Sequence, residues 1–331
     1  MTTAPIRLGT RRSALAMAQS SQVARALERV SGRSVELVQI VSEGDASRAS
    51  LSQLGGTGVF ATRLRDALRA DECDLLVHSL KDLPTADAPG LLLAATPERA
   101  DARDVVLTRD GTALADLAPG ATVGTGSPRR IAQVRGENPG VEVRDLRGNV
   151  DSRMRRVRDG ELDAIVLAAA GLSRLGAEID LVAEPRDLAA WPAAAGQGSL
   201  AVETRADADA ELLETLRALD DPRTRFAVIV ERAILAGVEA GCHAPVGVHA
   251  VIDDDELRVR AAVYGAQPGD EVVVDRAEPL AQEYIRPQGS GKGADAASRV
   301  AHERASGIGA LVAGLLLDRG AAELISPSTA S

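Results

Sequence analysis

Three turns of this 331-residue chain set arginine beside small and hydroxyl-bearing residues. In Thr125-Gly126-Ser127-Pro128-Arg129-Arg130, the proline suits a first helical position and Ser127 suits the N-cap. Backbone N–H groups at such a helix start, flanked by two guanidinium groups, make an anion site. Taken alone, the same residues read equally as a capped helix with solvated arginines. Leu146-Arg147-Gly148-Asn149 repeats the arrangement, and Arg153, Arg155, Arg156 and Arg158 follow it. Residues three apart share a helix face, so these four cannot all point one way. Arg11 and Ser13 form the third turn. Guanidinium stays charged and grips carboxylates through paired bonds. The three turns together imply a cleft for a ligand with several carboxylates or phosphates.

One acid stands among the donors of His78-Ser79-Leu80-Lys81-Asp82. Beside Lys81 and the arginines, Asp82 is expected to stay ionised. That suits it to stabilise a cation formed in a reaction or to relay protons. A surface ion pair is the plainer alternative. Cys242 lies in a Gly-Cys turn and suits covalent attachment or nucleophilic attack, whereas Cys73 precedes an apolar stretch and reads as a buried small hydrophobe. Two motifs are set aside. Gly196-Gln197-Gly198-Ser199-Leu200-Ala201 has dinucleotide-fingerprint spacing, but it follows an Ala/Pro-rich stretch instead of a strand, and an alternating run comes after it. Gly289-Ser290-Gly291-Lys292 lacks the upstream glycine and the following Ser/Thr of a phosphate loop. Four histidines and two cysteines show no zinc spacing.

The elements that must carry these residues alternate. Strands are expected at 6–10, 35–41 and 75–79, with helices from Ser13 to Arg29 and over 59–70. The polar segment 43–58 reads as a long functional loop. Beyond Asp104, strands at 105–108, 121–124, 141–145 and 164–168 alternate with helices at 128–135 and 150–159. This predicts mostly parallel sheets, with ligands beyond the strands' carboxyl ends, where the arginine turns and Asp82 stand. Residues 185–198 cross between units. A helix from Asp221 to Glu239 precedes strands at 246–252, 257–264 and 271–276, an antiparallel sheet. Residues 288–293 are Gly-rich. A closing helix spans 294–317, with break points at Gly307 and Gly309.

Hydrophobic residues make up 45% and aromatics 2%, so Leu, Val, Ile and Ala must fill the core. The net charge of −10 argues against a general nucleic-acid or membrane-surface binder. Thirty-six arginines against two lysines fit a compositional bias. That bias does not explain residues 121–160, which hold nine Arg against five Asp/Glu. No apolar run approaches the ~18 residues of a membrane span, and residues 1–12 lack a signal-peptide core. Two cysteines exclude a disulfide scaffold and imply a reducing cytoplasm.

Taken together, the motifs resemble the hydroxymethylbilane synthase (porphobilinogen deaminase) family. The matching segments are Thr10-Arg11-Arg12-Ser13, Gly55-Gly56-Thr57-Gly58-Val59-Phe60, Val77-His78-Ser79-Leu80-Lys81-Asp82 and Gly124-Thr125-Gly126-Ser127-Pro128-Arg129-Arg130. Leu146-Arg147-Gly148-Asn149-Val150, Ala169-Ala170-Gly171-Leu172, Ala195-Gly196-Gln197-Gly198 and Gly241-Cys242-His243-Ala244-Pro245-Val246-Gly247 continue in the family's order.

The resemblance implies an α/β fold of two periplasmic-binding-protein-like, doubly wound domains plus a smaller α+β C-terminal domain with a three-stranded antiparallel sheet. The domains are then 1–98 with 199–217, 103–193, and 221–331. It implies a transferase that condenses four porphobilinogen molecules head to tail and releases linear hydroxymethylbilane for porphyrin and haem biosynthesis. It further implies a dipyrromethane cofactor held by a thioether to Cys242, with Asp82 catalytic. Arg11, Ser13, Phe60, Ser79, Lys81, Thr125, Ser127, Arg129, Arg130, Arg147, Gly148, Arg153, Arg174 and Gln197 match cofactor- or substrate-binding positions. No metal is implied. A cytoplasmic monomer acting on porphobilinogen and pyrrole-chain intermediates, without nucleic acid or membrane, is expected. Thr57 departs from the lysine found in many members, and 285–295 matches no family segment. A solute-binding protein for an anionic ligand would share the two-lobed pattern, but Cys242 speaks against it. An RNA-binding protein using the 121–160 arginines would lack aromatic stacking residues.

Overall fold

Ile6–Thr10 (β1) and Leu75–Ser79 (β3) are almost wholly buried, which a strand flanked by helices on both faces requires. The computed structural model describes residues 4–40, 58–176, 180–238, 244–286 and 292–325. By its internal contacts the chain divides into two units. Unit 1 holds residues 1–100, 199–226 and 282–301, and unit 2 holds 101–198, 227–281 and 302–331.

In unit 1, β1 and β3 join Val35–Gln39 (β2), Leu91–Ala95 (β4) and Leu200–Arg205 (β10) in the order β2-β1-β3-β10-β4. Helix Ala14–Ser31 (α1) starts at Ser13, whose hydroxyl accepts the Ala16 N–H, and stops at Gly32 in the left-handed region. Its Val23, Ala24 and Leu27 pack with Ile6, Leu8, Leu75 and Val77. Helix Gly58–Arg69 (α2) contributes Leu64, Ala67 and Leu68 to a second cluster with Cys73 and Leu76.

The expectation of mostly parallel sheets needs correction. β1 runs parallel to β2 and β3, but β10 runs antiparallel to both β3 and β4. Ser199, just before β10, accepts the Leu80 N–H beyond the carboxyl end of β3, so the chain enters there and must run back.

Unit 2 repeats the layout with Asp104–Thr108 (β5), Thr122–Gly124 (β6), Glu142–Arg144 (β7), Ala164–Ala168 (β8) and Val182–Pro185 (β9), ordered β7-β6-β8-β5-β9. Here β5 is the antiparallel strand, and β6 runs parallel to β7 and β8. Helix Pro128–Glu137 (α3) packs Val134 with Val123 and Trp191. Helix Val150–Arg158 (α4) packs Met154 and Val157 with Leu146 and Ile165. The sequence reading did not place β4, β9 or the helices Ala169–Leu175 (α5) and Ala210–Arg217 (α6). Each is short, and β9 is largely exposed, so periodicity is a poor guide there.

The antiparallel sheet is as expected: Val246–Asp253 (β11), Glu256–Tyr264 (β12) and Glu271–Pro279 (β13). Beyond α6 come helices Pro222–Gly237 (α7) and Lys292–Asp318 (α8). Helix α8 runs unbroken through Gly307 and Gly309, against the expected break. A Cβ on Gly309 would lie 2.7 Å from the Val230 carbonyl oxygen, so this glycine serves close helix packing instead of a kink. Residues 295–318 are long and apolar enough by composition to cross a membrane, although no uninterrupted apolar run of that length occurs, and a third of the 18-residue apolar window within them is buried in the fold. Interleaved Ala, Gly, Val and Leu raise its hydropathy without a long uninterrupted apolar run.

One buried ion cluster sets an acid-stability limit for unit 1. Arg65 grips Glu203 at 2.6 and 3.0 Å, and His78 Nε2 lies 3.1 Å from the same carboxylate. Burial alone raises the Glu203 pKa, but the adjacent His78 and the Arg65 hydrogen bonds outweigh it and hold the group at about 2, below its ordinary 4.5. The stabilisation is complete above pH 4.5 and is lost as pH falls towards 2. It amounts to about 3 kcal/mol. Urea melts between pH 6 and 2.5 are expected to show this loss in the parent protein and not in Glu203→Gln. Equal pH slopes would remove Glu203 from acid unfolding.

Candidate active site

In unit 1 the carboxyl ends of two adjacent parallel strands assemble one edge. Arg11 and Ser13 follow β1, and Ser79 ends β3. The Ser79 hydroxyl accepts a 2.8 Å hydrogen bond from Gln19 of α1. A single 3-10 turn, Leu80–Asp82, then presents Lys81 and Asp82. Leu80 is buried and its N–H is bonded to Ser199, while the Leu83 N–H returns to the Leu80 carbonyl. The backbone is thus pinned while the Asp82 side chain is exposed. Phe60 falls in α2, but its side chain lies outside the described residues, as do segment 43–57 with Thr57, the turn 240–243 with Cys242, and 287–291.

In unit 2 the three parallel strands β7, β6 and β8 line up three turns. After β6, Thr125 is buried and its hydroxyl accepts the Ser127 N–H. Ser127 occupies the N-cap of α3, but its side chain makes no capping bond, unlike the expected cap. After β7, Arg147 is exposed and donates to Asp145 at 3.0 Å, and Arg153 donates to the Gly148 carbonyl at 2.8 Å. Arg156 and Arg158 turn instead to Glu161 and Asp180. Gly148 has φ +110, and a Cβ there would sit 2.4 Å from the Ser152 hydroxyl oxygen. We expect Gly148→Ala to cost about 1–3 kcal/mol by thermal melt. Unchanged stability would show that the turn relaxes freely.

After β8, Arg174 of α5 donates to the Gly198 carbonyl at 2.7 Å. Burial pulls its pKa below the ordinary value, and it makes no ion pair among the described residues. Its Nε is buried without a hydrogen-bond partner there. A desolvated guanidinium lacking a carboxylate is costly unless a ligand supplies one.

Arg129, Arg130 and Gln197, expected to meet the ligand, have polar atoms turned inward to one acid that the sequence reading passed over. Asp104 opens β5 and is fully buried. It takes hydrogen bonds from Arg129 at 2.8 Å, Arg130 at 2.6 Å, Trp191 at 3.1 Å and Gln197 at 2.8 Å. The only available signal was an acid heading an otherwise apolar strand.

Comparisons with known proteins identify the family. A family model described as "Porphobilinogen deaminase, dipyromethane cofactor binding domain" matches residues 6–214, and the family's C-terminal domain matches 225–278. Porphobilinogen deaminase of Leifsonia xyli is 55% identical over 262 residues, covering 78% of this chain and 79% of its own. Porphobilinogen deaminase 1 of Streptomyces coelicolor is 54% identical, covering 82% and 88%, and the Nocardia farcinica enzyme is 45% identical, covering 97% and 88%. Among solved structures, the chain is similar to an ancestral cationic amino acid solute binding protein at 16% identity and TM-score 0.40, covering 64% of this chain and 86% of that one. It is also similar to the aliphatic sulphonate binding protein SsuA of Escherichia coli at 12% identity and TM-score 0.38, covering 72% and 71%. With one model covering most of the sequence and relatives this close over most of their length, the chain belongs to the porphobilinogen deaminase family.

Proposed function

We propose that this chain joins four porphobilinogen molecules head to tail, losing one ammonia from each, and releases linear hydroxymethylbilane. The observation that carries this reading is Arg174, a desolvated guanidinium without a protein counter-ion among the described residues, at the strand edge that also bears Arg147 and Arg153. Each pyrrole unit brings an acetate and a propionate, so the ligand can supply the carboxylate that Arg174 lacks.

The residues fit the family's dipyrromethane group. Its carboxylates find unmatched guanidinium, and its thioether needs an available thiol. Cys73 does not qualify: it is fully buried, and burial pushes its thiol up to about 11. The attachment role therefore goes to Cys242. When bound, dipyrromethane supplies a free pyrrole α-carbon as the first nucleophile.

The chain's own residues do the rest. Arg11, Ser13, Lys81, Arg147, Arg153 and Arg174 hold acetate and propionate groups, and the hydroxyls of Ser79, Thr125 and Ser127 add donors. Ammonia leaves the porphobilinogen aminomethyl carbon, and the resulting azafulvene is cationic. The Asp82 carboxylate stabilises that charge and accepts the proton released as each new carbon–carbon bond forms. Water then frees the product.

The chain acts, in this reading, as a cytoplasmic monomer, and its net charge of −10 supports work away from nucleic acid and anionic membranes. Intact mass tests the core of the proposal. Protein made in porphobilinogen-competent cells should exceed its sequence mass by one dipyrromethane. An active protein at sequence mass would overturn the attachment.

A further inference from the structure

The Asp104 carboxylate is saturated. Its Oδ1 takes Arg130 and Gln197, and its Oδ2 takes Arg129 and Trp191, which fills the roughly four acceptor directions of a carboxylate. Burial alone would raise its pKa, but the two guanidinium charges outweigh that and hold it ionised, well below the carboxylate range. One negative charge thus faces two positive ones, and the cluster keeps a net positive charge in the interior.

The two arginines are then fixed differently. Arg129 also donates to Gln133 at 2.7 Å and to the Pro192 carbonyl at 3.2 Å, and Gln133 donates to the Tyr264 hydroxyl of β12 at 3.0 Å. Arg130 donates to the Val166 carbonyl at 2.9 Å, yet its buried Nε has no partner among the described residues. Arg130 is only 7% exposed, so that unmatched donor is held in a desolvated setting. Gln197, bound to Asp104, precedes the Gly198 whose carbonyl orients Arg174.

We propose that Asp104 is a positioning residue for the anion-binding edge of unit 2. It aligns Arg130 directly and Arg174 through Gln197-Gly198, and it leaves one positive charge unneutralised to draw the pyrrole carboxylates. This rests on the reading of that edge as the host for those carboxylates. Guanidinium binds carboxylate by the direction of its fork, so lost alignment outweighs the charge gained when Asp104 is neutralised.

Asp104→Asn keeps the volume and removes the charge. We expect the porphobilinogen KM to rise about tenfold or more, kcat of loaded protein to change much less, and the fraction of purified chain carrying the dipyrromethane mass to fall. Trp191→Phe removes a neutral donor to the same carboxylate and leaves both arginine bonds. It should lower the melting temperature while keeping the parent KM and loading. Parent-like KM and loading in Asp104→Asn overturn the proposal. So do equal losses in both variants at matched melting temperature, which would mark a purely structural role. Should Asp104→Asn fail to fold, Asp104→Glu decides: a raised KM at near-parent melting temperature supports positioning, and an unchanged KM rejects it. Missing dipyrromethane mass in the parent protein would instead reject the function reading, independently of Asp104.

Discussion

Cys242→Ser is expected to leave a chain at its bare sequence mass, with hydroxymethylbilane formation reduced at least about a thousandfold. A thioether forms when thiolate sulfur attacks an electrophilic carbon, and serine's hydroxyl stays protonated and weakly nucleophilic near neutral pH. No second thiol can take over. Cys73 sits among Ile40, Leu64, Ala67, Leu68 and Leu76, without exposure, and its thiol is held at about 11. Intact mass and peptide mapping of the purified variant check this directly. A full dipyrromethane increment on Cys242→Ser, mapped to Cys73 or elsewhere, would remove Cys242 from the proposal.

Asp82→Asn should separate binding from chemistry. The variant is expected to carry the dipyrromethane mass as the parent does, with kcat lowered about 10²- to 10⁴-fold and KM changed little. Asparagine keeps the shape and one acceptor oxygen. In the proposed mechanism it loses the charge that would stabilise the cation left by ammonia and the basicity that would accept the ring proton. The fold should not notice. The side chain is exposed, and its turn is held by the buried Leu80 and by backbone bonds from Leu80 to Ser199 and Leu83 to Leu80. The melting temperature is therefore expected to match the parent's within the small range of surface substitutions. A kcat within threefold of the parent's at full loading would take Asp82 out of the mechanism.

Much of the scaffold was readable because its signals are local. Ser13 caps α1, Pro128 opens α3, and β1, β3 and β8 are short apolar runs that begin and end where the pattern indicates. Arg11, Ser13, Lys81, Asp82 and Arg147 follow strand ends, Ser79 ends β3 and Arg153 lies in the first turn of α4, and adjacent parallel strands bring these strand ends together within each unit. What failed was direction and partnership. β5 reads as a strand like any other, and the Leu200–Glu203 stretch only as an alternating run, but β5 and β10 each run antiparallel because of where the chain enters its sheet. Ser127 reads as a capping residue, yet Thr125 takes the local N–H instead.

The sequence by itself determined the family and most element positions, since each depends on residues within a few places of one another. Only the tertiary structure decided which charges neutralise each other. Asp104 meets Arg129 across 25 positions and Gln197 across 93, and no local pattern encodes that meeting. It follows from sheet order, which places β5 beside β8 and joins the Arg129-Arg130 pair to Asp104 while Arg174 is left without a protein carboxylate among the described residues. Electrostatic energy depends on distance and burial, not on separation along the chain, so which arginines share a buried acid and which one does not appears only once the strands are in place.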